Sequence, residues 1–108
     1  MSALLPEVLS TYFHAASAGR IDQACACFAS DAVVHDEGRD HFGASAIRGW
    51  IEETTLKYQP RMEVTRIEES DERILATAIV SGSFPGSPVE LRFAFTLRNG
   101  KICNLAIQ

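Results

Sequence analysis

A chain of 108 residues with 46% hydrophobic and 22% charged residues has the composition of one ordinary globular domain spanning residues 1–108, long enough to bury a core and too short for a second. Ten basic against 14 acidic residues leave a net charge of −4. No basic run interleaved with aromatics occurs, which argues against a nucleic-acid partner. The longest apolar runs fall far short of a membrane span, and the opening Met-Ser-Ala-Leu-Leu-Pro-Glu has no charged leader before a hydrophobic stretch. Neither insertion nor export is expected, and a cytoplasmic location follows by default.

The first element is a helix. Pro6 suits its first turn, Leu5, Val8, Leu9, Tyr12, Phe13 and Ala16 recur at helical spacing, and Gly19 is a natural stop. Asp22 is a candidate cap for a short second helix through Phe28, with Ile21, Ala24, Cys25 and Phe28 as its apolar stripe. Cys25 and Cys27 sit too close on that pattern to bridge each other, and with Cys103 they make an odd total. Reduced thiols used as small packing residues are expected.

Residues 32–36 read as a strand, in which Ala32, Val34 and Asp36 share one face while Val33 and His35 point the other way. A polar turn follows over 37–43, with a short return through His41 and Phe42. Over 44–58, Ile47, Trp50, Ile51, Thr54 and Tyr58 line one side and Arg48, Glu52, Glu53 and Lys57 the other, so a third amphipathic helix is predicted, stopped by Pro60.

The remainder changes character. Segments 62–68, 73–84, 89–97 and 101–107 are rich in strand formers, separated by Ser-Asp-Glu, Pro-Gly-Ser-Pro and Asn99-Gly100. Asn-Gly tolerates positive φ at both positions and signals a tight hairpin. Val89, Leu91, Phe93, Phe95 and Leu97 make one face dry, whereas Glu90, Arg92 and Thr96 make the other mixed. The helices can cover the dry face, giving an α+β domain: a curved antiparallel sheet with three helices on one side.

Ionisable groups cluster where the first strand meets the third helix: His35, Asp36, Glu37, Arg39, Asp40 and His41. At the mouth of an apolar hollow, desolvation would make Asp36 a better base for taking a proton from carbon. The plain alternative is a strand-end carboxylate bonded to the next turn or paired with Arg39. Two roles likewise fit Tyr12: donor to an enolate oxygen, or a core tyrosine bonded to a backbone carbonyl. His41 either turns back toward Asp36 as a relay or stays solvated on its loop. Adjacent strand residues diverge and no repeated ligand spacing occurs, so no metal is expected at this cluster. Trp50, Phe84, Phe93 and Phe95 are core residues that also suit a cavity wall, as do Phe13 and Val34.

The order helix, helix, strand, helix, four strands, with Tyr12…Gly19…Phe28-Ala-Ser-Asp-Ala-Val-Val-His-Asp…Gly43-Ala-Ser-Ala-Ile, resembles the nuclear-transport-factor-2-like superfamily. Within it the chain is most similar to the SnoaL-like branch, which includes polyketide cyclases, and more distantly to ketosteroid isomerase. The resemblance implies a cone whose helices close over the sheet around an apolar pocket, and pairing into homodimers through the outer sheet face bearing Glu90, Arg92 and Thr96. It places Asp36 at the isomerase's general base and Tyr12 at its oxyanion-hole tyrosine. The isomerase's third group, a protonated acid, falls at or near Phe93, which cannot donate a hydrogen bond. The expected activity is proton transfer next to a carbonyl (isomerisation, aldol cyclisation or dehydration) on a small hydrophobic molecule, with Asp36, Tyr12 and His41 as catalytic residues and no cofactor. The alternative is a non-catalytic ligand-binding or dimerisation module. No Asp-Arg-Asp relay of the limonene epoxide hydrolase type is found.

Overall fold

The computed structural model describes residues 5–71 and 73–108. The start of the N-terminal Met-Ser-Ala-Leu-Leu-Pro-Glu stretch and Glu72 of the Ser-Asp-Glu joint lie outside them. Helices α1 (Glu7–Ala18) and α2 (Ile21–Cys25) precede strands β1 (Phe28–Asp36) and β2 (Arg39–Phe42). Helix α3 (Gly43–Tyr58) is followed by β3 (Arg61–Ser70), β4 (Arg73–Ser81), β5 (Val89–Arg98) and β6 (Lys101–Ile107).

The six strands form one sheet in the order β2-β1-β6-β5-β4-β3. Every neighbouring pair is antiparallel except β1 and β6, which run parallel. The sheet is therefore mixed, a departure from the purely antiparallel expectation. Alternating apolar residues reveal which face of a strand is buried, but they are blind to the direction of its neighbour. Register shifts interrupt β1 between Phe28 and Val33, β3 between Val64 and Arg66, and β5 between Thr96 and Leu97. Such irregularities bend strands and raise their twist.

On β4 every second residue is buried, Ile74, Ala76, Ala78 and Val80, and on β5 so are Phe93 and Phe95. The helices cover this face, with Leu9, Tyr12 and Phe13 of α1 and Ile47, Trp50 and Ile51 of α3 joining the same core. Burying such side chains contributes roughly 1.5–3 kcal/mol each before the entropy of ordering them is counted.

Two element boundaries differ from those predicted. Helix α2 stops at Cys25 and the strand begins at Phe28, because Ile102 N–H donates to Cys27 O at 2.9 Å and Phe28 pairs with Ile102, so β6 draws the chain into the sheet. Asp22 does not cap this helix: Arg20 precedes its first turn, and the Asp22 carboxylate accepts from Arg48 on α3. Strand β4 ends at Ser81, short of Phe84, because Gly82 lies against the backbone at the end of α3. A Cβ there would meet Tyr58 O at 2.4 Å. The Asn99-Gly100 turn has φ of 53° and 74°, as the sequence predicts, and Glu37-Gly38 between β1 and β2 repeats it at 54° and 73°.

Candidate active site

Where β1 ends and α3 crosses it, the sheet and helices leave a cavity of about 690 Å³. Asp36 enters it from the end of β1, Tyr12 from α1 and Trp50 from α3, and Phe93 and Leu91 of β5 form part of the floor. Phe84 and Pro85 line it from the β4–β5 connection, and Tyr58 from the end of α3.

Asp36 shares the inner face of β1 with the fully buried Ala32 and Val34, which places its carboxylate at the edge of the apolar interior. One oxygen, Oδ2, accepts the indole N–H of Trp50 at 3.0 Å. Burial pushes the Asp36 carboxyl above the ordinary aspartate range, and the nearby Glu37 adds to this. The Trp50 hydrogen bond, the positive charge His41 can carry and the Glu37 backbone N–H act in the opposite direction. A carboxylate held this way is a stronger base than a free one.

Tyr12 is 2% exposed and ringed edge-on by Phe13, Phe28 and Phe95, at centroid distances of 5.4, 5.6 and 5.9 Å. Its hydroxyl makes no hydrogen bond among the described residues, where Asn104 Oδ1 is the sole sealed side-chain polar atom without a partner. The hydroxyl therefore keeps some accessible surface, and the cavity is the space that Tyr12 lines. Desolvation first, then the Asp36 carboxylate and Cys27, raise its pKa far above the ordinary range. The group remains a neutral donor at every physiological pH.

His41 pairs in register with Val34 and its ring stands 6.0 Å from that of Trp50. It makes no hydrogen bond to Asp36 among the described residues and does not line the cavity. The side chain that bonds the Asp36 carboxylate is Trp50, and the His41 ring beside the indole stays near enough to act on Asp36 through its charge. His35 faces the other side of β1 and bonds Asp40 across the hairpin.

Of the residues expected on the cavity wall, Trp50, Phe84 and Phe93 are on it, whereas Phe13, Val34 and Phe95 are not. These three have the predicted facing, but Phe13 and Phe95 are buried against each other where α1 packs on the sheet, and Val34 is fully buried on β1 under α3. Phe13 meets Phe93 at 5.2 Å and Phe95 at 5.7 Å, filling that end. Depth along a strand carries no periodic signal.

The sequence marks Trp50 as wall, not as partner of Asp36. A signal for the partnership exists, since a buried indole N–H usually finds an acceptor. Sequence reasoning has Glu37 in the ionisable cluster and Tyr58 on the inner side of α3 but misses that their side chains meet at the rim, where Tyr58 Oη donates to Glu37 Oε1 at 3.2 Å. Their separation in sequence hides that contact.

The SnoaL-like domain family matches residues 9–105, and the chain belongs to that family. A structure from Sinorhizobium meliloti, named "putative polyketide cyclase", is 39% identical, with 96% of this chain and 95% of that one covered at a TM-score of 0.93. A ketosteroid isomerase-like fold from Catenulispora acidiphila, solved with trimethylamine, is 18% identical over 97% of this chain and 86% of its own, at 0.86. A Pseudomonas putida structure, also named "putative polyketide cyclase", is 19% identical over 100% and 91%, at 0.82; likenesses as distant as these two speak for the fold alone. A search of curated proteins finds no match.

Proposed function

We propose that the protein is a SnoaL-like enzyme that moves a proton on carbon next to a carbonyl in a small, largely apolar molecule. The observation that carries this reading is the meeting of Asp36 and Tyr12 at one cavity, the first half-buried with a raised pKa, the second a neutral phenol without a hydrogen-bond partner among the described residues. Asp36 Oδ1, the oxygen not taken by Trp50, removes the α-proton, and the pair of electrons shifts into an enolate whose oxygen accepts from Tyr12. The same proton returned at another carbon gives isomerisation. Attack of the enolate on a second carbonyl gives aldol closure. General-base assistance of this kind contributes roughly 10²–10⁴-fold in rate.

Phe93, 1% exposed on the cavity floor, supports a second reading. It supplies no donor where a third group would help hold an enolate, which suits a module that binds small molecules without turning them over.

Deuterium exchange at the α-carbon of benzylic ketones such as 2-tetralone, followed by NMR in D₂O, separates the two. Enzyme-dependent exchange that Asp36→Asn lowers roughly 10²-fold or more supports the catalyst. Binding of the ketones without exchange leaves the module.

Pairing of two copies through the outer sheet face belongs to the same proposal, as does a cytoplasmic location, for which the free thiols of Cys25, Cys27 and Cys103 speak. Among the described residues no helix is long and apolar enough to cross a membrane.

A further inference from the structure

The charged residues that line the cavity are Asp36 and Glu37, and no lysine, arginine or histidine shares the wall with them among the described residues. Five aromatic rings do: Tyr12, Trp50, Tyr58, Phe84 and Phe93. An enclosure with carboxylates at one end and π-faces around it attracts cations and repels anions.

Two local features strengthen the pattern. Glu37 sits at φ 54°, a left-handed conformation that a side-chain-bearing residue rarely adopts, and its carboxylate accepts from Tyr58 at 3.2 Å on the rim. Phe84 meets the same Tyr58 edge-on at 5.7 Å. The carboxylate and both rings are thus held together at the entrance. Inside, the Tyr12 hydroxyl, on a side chain 2% exposed that lines the cavity, has no hydrogen-bond partner among the described residues, a polar atom left for a ligand.

We infer that the natural ligand is an organic cation, a protonated or quaternary amine on an apolar body, with its positive end between Asp36, Glu37 and the aromatic rings. This deepens the proposed function and rests on the same cavity being the ligand site, although recognition of charge requires no turnover. The carbonyl of a substrate would then lie on the Tyr12 side and the ammonium toward the rim. Lys57, 5.2 Å over the Tyr58 ring, and His41, whose ring stands 6.0 Å from that of Trp50, are not among the residues that line the cavity.

The test uses three probes of one shape that have no carbonyl and so report binding alone: benzyltrimethylammonium, its neutral carbon analogue neopentylbenzene, and phenylmethanesulfonate. Trp50 is the only tryptophan and lines the cavity, so its fluorescence reads occupancy. The cation should bind roughly tenfold or more tightly than the neutral analogue, given the size of desolvated cation–π and ion-pair contacts, and the anion should not bind measurably. Its affinity should fall as pH drops through the ionisation of Asp36, which faces Glu37, His41, Trp50 and Tyr12.

Glu37→Gln, an exposed turn substitution, should reduce the preference several-fold, and adding Asp36→Asn should bring cation and neutral analogue to near parity. A neutral analogue that binds as well as the cation, or a preference that survives both substitutions, overturns the inference. Ketone exchange by a cavity indifferent to the cation would leave the proton-transfer reading standing without it. Cation binding without ketone exchange would do the reverse.

Discussion

Asp36 matters most at the scale of single residues, and its environment exerts opposed forces that can be separated. Burial raises its pKa and the Trp50 N–H lowers it, so Trp50→Phe, which keeps an aromatic ring and removes the donor, should move the ionisation further up. NMR of the Asp36 carboxyl carbon reads this directly, and an unchanged midpoint would mean that the 3.0 Å bond carries little. Stability follows from the same shift by linkage. A carboxyl whose folded pKa is raised contributes stability below its unfolded pKa and loses that contribution as pH rises through the folded value. Asp36→Asn should therefore gain in melting temperature relative to wild type as pH rises from acid to neutral, with the gain fully developed at neutrality. A large loss at neutral pH would assign Asp36 to turn architecture. For Tyr12, removal of the hydroxyl in Tyr12→Phe should lower exchange roughly 10²-fold and leave stability nearly unchanged, since the group bonds nothing among the described residues.

The elements are largely legible in the sequence because each is amphipathic with its own period: α1, α3 and the four late strands fall within a few residues of the prediction. Contacts between distant segments are not legible. The parallel β1–β6 ladder, the early start of β1 and the close approach of Gly82 to Tyr58 O all depend on which segments meet in space. The same limit applies at the site, where periodicity gives the facing of Phe13, Val34 and Phe95 but not their depth behind the cavity. Two glycines should respond in opposite directions. Gly82→Ala has no room for its Cβ beside two backbone oxygens and should destabilise by about 1–3 kcal/mol, loosening the end of α3 and with it Tyr58. Gly49, exposed within α3, has open space where a Cβ would stand, and should become about 0.5–1 kcal/mol more stable as alanine. Denaturant midpoints decide both, and equal effects of the same sign would contradict the packing described.

Across the whole molecule, one face of the sheet is sealed by helices and the other is open. On the open face Leu75, Ala94 and Ala106 lie side by side across β4, β5 and β6, next to Asn104, whose sealed Oδ1 has no partner among the described residues. A second copy would cover the apolar strip and exclude water from it, which is why Ala94→Arg should shift sedimentation at micromolar concentration from dimer to monomer. A wild-type monomer at that concentration would remove the proposed pairing and leave the cavity untouched, since its walls come from one chain. Whether that cavity holds a working base is tested most directly by the pH dependence of α-carbon deuterium exchange. The rate should rise through one ionisation above the ordinary aspartate value of 3.8, and the rise should vanish in Asp36→Asn; an identical profile in the variant would contradict a catalytic Asp36.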